Sequence, residues 1–359
     1  MLIIYAGYTV AFFFALNIGA SGAAATMGVA YGAGAIPKRF WALVLSGIGV
    51  FFGAILGGGE VVKTIGSELI PASIVDIRVA VIILAAAGLS LFIANLLGIP
   101  LSTSEVTVGA VVGAGLAFQV ILAGQLVTVL LFWLMVPVTA FFLALLAGKG
   151  IGFVEKRVRP LRDGKRQRWL AVLLVVTGFL EAIAAGMNNV ANAVGPLVGA
   201  GLLSVSEGVL YGGIFVASGA LLLGRKVLET NGKGITRFTM LEGSAISGTG
   251  AGLVIGSSLL GIPVPLTQVT TSAIIGIGTA KKGFSLWQKG IIAQMIKVWA
   301  VSPVFSLVIA YGMVKVLIHD DLYSVAVVAS VFLATVGSIS LIRSVRREKR
   351  SLHEHGGGI

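Results

Sequence analysis

Three consecutive hydroxyl side chains, Ser102, Thr103 and Ser104, follow a Gly-Ile-Pro sequence at residues 98–100. Glycine and proline end helices, so a new helix is expected to begin within this hydroxyl run. The first N–H groups of a helix and its macrodipole attract anions, and each hydroxyl can donate one further hydrogen bond. These residue types at this spacing predict a site that binds an oxyanion through neutral donors.

This segment occurs twice in the chain. Residues 98–107 align without gaps on residues 261–270, at an offset of 163, which brings Thr267 to the position of Ser104. A second pair of segments, 19–25 and 186–192, aligns at an offset of 167. Two pairs at nearly equal offsets indicate an internal repeat. The candidate anion-binding residues in this second pair are Ser21, Gly22, Ala23, Asn188 and Asn189.

Both duplicated segments are rich in Gly, Pro, Ser and Asn, and both are predicted to interrupt a membrane helix near its middle. Backbone N–H groups exposed at hydrocarbon depth are tolerated only where they line a polar cavity or are buried against protein. If the two halves are inverted, their helix starts meet at the midplane, which suits a tetrahedral anion with acceptors in all directions. The alternative is that the small residues only allow helices to pack closely.

Carboxylates inside apolar segments are costly and are therefore candidates for function. Glu105, Glu60 and Glu181 are the candidates for a coupling proton, with Glu242 behind them. Glu105 directly follows the hydroxyl run, where a carboxylate can equally cap a helix as a permanent anion. Glu60 and Lys63 are three residues apart, and the simpler interpretation is an ion pair on one helix face.

These residues lie in a chain of 359 residues that is 57% hydrophobic and 11% charged, too apolar to bury its surface in a water-soluble core. Stretches long enough to span roughly 30 Å of hydrocarbon recur from end to end. We therefore predict an all-α integral membrane protein with discontinuous helices and about eleven spans. Their approximate bounds are 2–34, 40–57, 78–97, 99–117, 119–147, 170–204, 207–224, 238–260, 263–280, 285–317 and 322–342.

The basic residues fall between these spans, so the net charge of +12 indicates membrane topology and not a nucleic-acid partner. An outside N-terminus and a cytoplasmic C-terminus, in the plasma membrane, put every basic cluster in the cytoplasm, as the positive-inside rule requires. The basic stretch 149–169 is predicted to be a cytoplasmic linker. It separates a first repeat at 1–148 from a second repeat with one extra span at 170–342, and residues 343–359 form a cytoplasmic tail.

Other classes of function find little support in the sequence. An intramembrane enzyme needs a nucleophile with a base or a metal cluster, and the chain has no cysteine, no HExxH motif and no mid-span histidine. No catalytic residue, metal or cofactor is therefore expected. The tryptophans, Trp133 among them, are predicted to be interfacial anchors. An anion channel lined by the same helix starts stays open as an alternative.

Two elements of the sequence resemble a known family. Residues 17–20 and 188–196 are similar to the duplicated GANDVANAxGP signature of the PiT inorganic phosphate transporters, and residues 98–104 resemble that family's G-[LI]-P-V-S-T-T-H element. The resemblance covers essentially the whole chain. It implies secondary transport of an oxyanion coupled to sodium ions or protons, an inverted-repeat fold and a homodimer.

The departures from the family pattern are informative. Gly22 and Asn189 stand where the family has aspartates, Glu105 replaces its histidine, and this variant resembles the CysP-type sulfate permease branch. Phosphate near neutral pH retains a P–OH that a carboxylate can accept, whereas sulfate has only acceptors and would be repelled. The substitutions thus favour sulfate, with thiosulfate or another tetrahedral oxyanion as further substrates, and a proton over sodium. A phosphate transporter that lost cation ligands is the alternative.

Overall fold

The computed structural model describes residues 1–96, 101–157, 164–234, 238–283 and 291–324, together with 326, 327 and 330. Within this part the chain consists of helices and connecting segments without a β-strand, which confirms the predicted all-α class. The helices are α1 Leu2–Ile18, α2 Gly28–Gly32, α3 Arg39–Lys63, α4 Ile77–Leu96, α5 Thr103–Ala117, α6 Ala123–Arg157, α7 Gly164–Gly199, α8 Val205–Leu223, α9 Arg225–Gly234, α10 Met240–Leu259, α11 Leu266–Lys282 and α12 Ile291–Leu317.

Several helices match a membrane in length and in composition. In the described ranges, five segments are long and apolar enough to cross it, namely Leu2–Ala23, Arg39–Glu68, Ala123–Glu155, Arg166–Gly199 and Val205–Leu223. Three apolar helical stretches are shorter, and the 15 residues of α5 cover only about 22 Å of a hydrocarbon core roughly 30 Å thick. The eleven spans stay a prediction, and most of the last one, 322–342, lies outside the described residues.

The helices pack in matched pairs. α1 packs on α8 and α7 on α3, α4 packs on α1 and α10 on α7, and α5 packs on α12 and α11 on α6. In each case the second contact repeats the first. An offset of 163 or 167 residues takes the helices of the first half to their equivalents in the second half. A repeat in the sequence therefore corresponds to a repeat in the packing.

Equivalent glycines bring two of these helix pairs close together. At the α1–α8 contact, a Cβ on Gly19 would collide with the backbone of Val216. At the α7–α3 contact, a Cβ on Gly186 would collide in the same way with the backbone of Val50. Small residues are the usual means by which membrane helices approach backbone to backbone. The glycines of this duplicated segment thus serve packing, which is the alternative that the sequence left open.

Only one of the two duplicated segments interrupts its helices. α10 and α11 are separated by residues 260–265, and α4 and α5 by residues 97–102, of which 97–100 lie outside the described residues. In contrast, α7 runs unbroken through Asn188, Asn189 and Pro196, so the predicted interruption there is wrong. The reason is that the Asn188 amide bonds to Ser104 of α5 and to Val264 in the segment before α11, so it does not compete with the backbone of α7.

The first half departs from regular helix at the equivalent place without ending. Residues Gly19–Ala23 form a π-helical turn that continues α1, and the chain turns only at Thr26 and Met27. The carbonyl of Ala23 accepts hydrogen bonds from Ser46 Oγ at 2.5 Å and Thr26 Oγ1 at 2.8 Å. Two hydroxyls therefore satisfy an oxygen that the widened turn leaves partly unpaired, and π turns of this kind are frequent at functional sites.

Candidate functional site

The starts of α5 and α11 meet inside the protein. Gln268 in the first turn of α11 donates a hydrogen bond from Nε2 to Oε1 of Glu105 in the first turn of α5. Both side chains are buried. The two residues are 163 positions apart, which is the offset of the repeat, so the duplicated segments contact each other through equivalent positions.

Both helices begin without a capping side chain. Ser102 and Pro265 are the N-cap residues of α5 and α11, and neither side chain bonds to the first turn of its helix. The first N–H groups of a helix have no partner within it and attract negative charge. Such donors therefore lie at the starts of both helices, next to Glu105 and Gln268 in sequence.

Asn188 on α7 joins the two helix starts. Its Nδ2 donates to the Val264 carbonyl at 2.7 Å and to Ser104 Oγ at 3.1 Å, while its Oδ1 accepts from the Val264 N–H at 3.0 Å. One side chain thereby satisfies both backbone groups of Val264 in the segment that leads into α11. Asn188 fixes that segment relative to the hydroxyl run of α5.

Two neighbouring asparagines extend this network. Asn192 Nδ2 lies 3.3 Å from both Thr103 Oγ1 and Ser104 Oγ, and Thr103 Oγ1 donates to Asn189 Oδ1 at 3.2 Å. All of these side chains are buried. Among the residues that the structure describes, no lysine or arginine bonds to this network, and its donors are amides and hydroxyls.

Gly22 and Asn189, the two positions where the family resemblance implies aspartates, face each other. A Cβ added to Gly22 would lie 3.3 Å from Asn189 Nδ2. Two carboxylates placed here would stand side by side, whereas this chain has a hydrogen atom opposite a neutral amide. The two departures from the family pattern therefore act on the same small volume beside the asparagine network.

The remaining predicted anion-binding residues lie apart from the network. Ser21 is half-buried and donates to the Asn17 carbonyl of its own helix at 2.9 Å. Ala23 is buried, with its carbonyl engaged as described above. Thr267, the equivalent of Ser104, is exposed. The structure thus brings Thr103, Ser104, Gly22, Asn188 and Asn189 together at the start of α5, where Ser102 is the N-cap residue. Among the described residues, Ser21, Ala23 and Thr267 make no hydrogen bond to this group.

The carboxylates occupy four different environments. Glu105 belongs to the network. Glu60 is exposed and pairs with Lys63 at 2.7 Å, which confirms the predicted ion pair on one helix face. Glu242 is buried, completes a capping box with Thr239 and pairs with Lys281 at 2.9 Å. Glu181 is buried on α7 and accepts a hydrogen bond from Thr270 Oγ1 at 2.8 Å.

Trp133 is a functional candidate that the sequence reasoning assigned wrongly. It was predicted to be an interfacial anchor, yet it lies ten residues into α6 and is half-buried, with its indole N–H 2.8 Å from the Pro263 carbonyl. The bond joins residues that are 130 positions apart, so no local sequence pattern predicts it. Trp133 and Asn188 together fix the segment before α11.

Comparisons with known proteins identify the family of the chain. Residues 18–163 and 151–310 match the model of the Phosphate transporter family. The chain is 57% identical to the sulfate permease CysP of Bacillus subtilis over 97% of each protein, and 30% identical to a putative phosphate permease of Thermococcus kodakarensis over 84% of this chain and 95% of that one. A solved structure of a sodium-dependent phosphate transporter superposes with a TM-score of 0.74 at 25% identity, covering 88% of this chain and 99% of the other.

These matches confirm the resemblance to the PiT transporters and to their sulfate permease branch. The relatives are named permeases and transporters, which indicates a transport role and not catalysis. Together with the apolar helices, they make this a multi-pass protein of the plasma membrane. The chain belongs to the phosphate transporter family and is an anion transporter of its sulfate permease branch.

Proposed function

We propose that the chain is a secondary active transporter that imports sulfate together with protons and binds the dianion where α5 and α11 begin. The observation that supports this most directly is the contact between Glu105 and Gln268, which joins the helix starts of two repeats. Uncapped helix N-termini and neutral donors such as Ser104 suit an anion that offers only acceptors. The site needs no cationic side chain to hold such an anion.

Sulfate is favoured over phosphate by the pair Gly22 and Asn189. A carboxylate at either position would repel a dianion and would find no proton on sulfate to accept. The 57% identical relative is named a sulfate permease, in keeping with this choice. Thiosulfate and other tetrahedral oxyanions present the same acceptors and are proposed as further substrates.

Inverted repeats supply the mechanism. The matched helix pairs support a first repeat at 1–148 and a second at 170–342, which enter the membrane from opposite sides. We place the N-terminus outside and residues 149–169 and 343–359 in the cytoplasm. One bundle then moves against the other around a fixed midplane site, and two copies of the chain form the homodimer that the family resemblance implies.

The coupling ion is a proton in this proposal. Glu105 and Glu181 are buried carboxylates within apolar helices, the kind of group that carries protons in transporters. Glu60 is exposed and ion-paired, so it is the weakest of the three candidates. Glu105 can alternatively remain ionised as part of the first turn of α5.

Purified protein in liposomes tests this function. We expect labelled sulfate uptake to be accelerated by an inward proton gradient and not by a sodium gradient. Internal unlabelled sulfate should accelerate uptake as well, because a transporter exchanges its substrate and a channel does not. Uptake that follows only the electrochemical gradient would favour the anion channel instead.

A phosphate transporter coupled to protons or sodium is the second candidate, favoured by the solved relative and by the putative phosphate permeases. Competition separates the two. Orthophosphate should inhibit sulfate uptake much more weakly than unlabelled sulfate does. Equal inhibition by the two anions would overturn the assignment to sulfate.

A further inference from the structure

A second buried polar cluster lies on α7, away from the asparagine network. The Glu181 carboxylate accepts a hydrogen bond from Thr270 of α11, and Ser247 of α10 is fully buried with its hydroxyl beside the same carboxylate. That hydroxyl has no partner of normal hydrogen-bond geometry among the described residues. Gly250 leaves room next to the cluster, since a Cβ there would lie 3.5 Å from both Glu181 Oε1 and Thr270 Oγ1.

The repeat provides an internal comparison for this cluster. At the offsets of 167 and 163, Phe14 stands in the first half where the second has Glu181, and Leu84 stands where it has Ser247. Both side chains are buried in the apolar core. Thr107, the equivalent of Thr270, has a buried hydroxyl that finds no hydrogen-bond partner among the described residues. The first repeat thus holds a buried phenylalanine at the position equivalent to Glu181. Helix packing alone therefore does not require a carboxylate at this position in the second repeat.

No described cation neutralises Glu181. Among the described residues, no salt bridge joins a lysine or arginine to its carboxylate. Several ionisable side chains on the neighbouring helices have partners of their own, and Glu105 bonds to Gln268. On α10 and α11, Glu242 pairs with Lys281, and on α3, Arg39 pairs with Glu229 and Glu60 with Lys63. A carboxylate in an apolar interior without a counter-charge is stable when it carries a proton.

We propose that Glu181, Thr270 and Ser247 form a proton-binding site in the second repeat that is separate from the anion site and carries the co-transported proton. This inference rests on the proposed proton-coupled transport of sulfate. It selects Glu181, and not Glu105, as the group that loads and releases the proton.

Two helices connect this site to the anion site. Glu181 and Asn188 are two turns apart on one face of α7, about 10 Å along its axis. Gln268 and Thr270 are two residues apart at the start of α11. A shift of α11 relative to α7 when the anion binds therefore changes the contact between Thr270 and Glu181, and protonation of Glu181 acts on anion binding by the same route.

The test compares two sulfate assays in proteoliposomes, namely exchange of internal for external sulfate at equal pH and accumulation driven by an inward proton gradient. Glu181→Gln keeps the shape of the protonated side chain and cannot release a proton. We expect it to retain exchange within about twofold of wild type and to lose accumulation above equilibrium. Glu60→Gln removes the charge of an exposed carboxylate outside both sites and should retain gradient-driven accumulation.

A matched pair of threonine variants adds a second measurement. Thr270→Val keeps the carboxylate and removes its hydrogen-bond donor, so the external pH of half-maximal accumulation should shift. Thr107→Val makes the same change at the equivalent position beside Phe14 and should leave that pH in place. Equal shifts in both variants would contradict the assignment.

The outcomes distinguish this inference from the function on which it rests. If wild-type uptake ignores the proton gradient, proton symport itself is wrong. If wild type responds and Glu181→Gln accumulates sulfate equally well, only the role of Glu181 is overturned. Loss of exchange as well as accumulation in Glu181→Gln also overturns it, because the carboxylate is then needed for the substrate cycle itself.

Discussion

The amide of Asn188 pairs with both backbone groups of Val264, 76 residues further along the chain. The arrangement imitates one rung of a β-ladder inside an otherwise helical protein. It gives the extended segment before α11 the hydrogen bonds that it would otherwise lack at this depth. Asn188 of α7 thus helps to position the α11 N-terminus, together with Trp133 of α6.

Asn188→Ala should disturb this arrangement. It leaves a buried N–H and a buried carbonyl of Val264 without partners, at a cost of about 1–3 kcal/mol for each group. We expect a lower Tm in detergent and a sulfate affinity reduced at least tenfold, measured by calorimetry. Asn17→Ala is the control, because the Asn17 side chain donates to the Phe13 carbonyl of its own helix and makes no other hydrogen bond within the described part of the chain. Equal effects of the two variants would contradict the positioning role of Asn188.

The hydroxyls of α5 and α11 should contribute unequally. Thr103 is buried in the asparagine network, whereas Thr267 on the equivalent turn is exposed. A hydrogen bond to a charged group contributes about 1.5–3 kcal/mol, so Thr103→Ala should weaken sulfate binding roughly 10- to 100-fold. Ser102→Ala should weaken it in the same direction, with folding intact. Thr267→Ala should have the smaller effect, and the reverse order would show that the anion binds on the α11 side.

Asn189→Asp should move selectivity away from sulfate. The substitution preserves shape and adds a negative charge beside Gly22, where the family resemblance implies a carboxylate. We expect sulfate affinity to fall and inhibition by orthophosphate to rise, measured by competition in proteoliposomes. Asn17→Asp adds the same charge outside the network and serves as control. Unchanged sulfate affinity in Asn189→Asp would remove this position from the selectivity argument.

Gly186→Ala should destabilise the protein. Its Cβ would collide with the backbone of Val50, which cannot move without displacing α3. Overpacking of this kind typically costs about 1–3 kcal/mol, and we expect a clearly lower Tm and poor expression. Gly252→Ala in α10 is the matched control, since no atom of the described residues lies within 4 Å of the added Cβ. A Tm lowered equally in both variants would exclude the α7–α3 contact as the cause.

The starts of α5 and α11 could be predicted from the sequence, because the same Gly-Ile-Pro sequence precedes both helices and favours a helix end at that point. The alignment of residues 98–107 on 261–270 also pairs Glu105 with Gln268, the two residues that meet in the structure. The family assignment followed from the motifs at residues 98–104 and 188–196. Each of these features is expressed in local residue types or in similarity between two segments.

The continuity of α7 could not be predicted in the same way. Gly186 and Asn188 favour a break when they are considered alone, and they stay helical because α3 approaches the glycine and Val264 satisfies the amide. Trp133 shows the same limit, since its partner Pro263 lies 130 residues away. Contacts between residues so far apart along the chain produce no periodic pattern or fixed spacing that could be recognised in a single sequence.

The contact between Glu105 and Gln268 bears on why the two halves differ. In a chain built from two identical halves, each residue at this position would meet its own copy, so a carboxylate would face a carboxylate. Two like charges in a buried site repel each other, and one of them would have to stay protonated. Divergence of the halves lets one side supply the negative group and the other the donor that stabilises it, so an acid can occupy a position where perfect symmetry would forbid it.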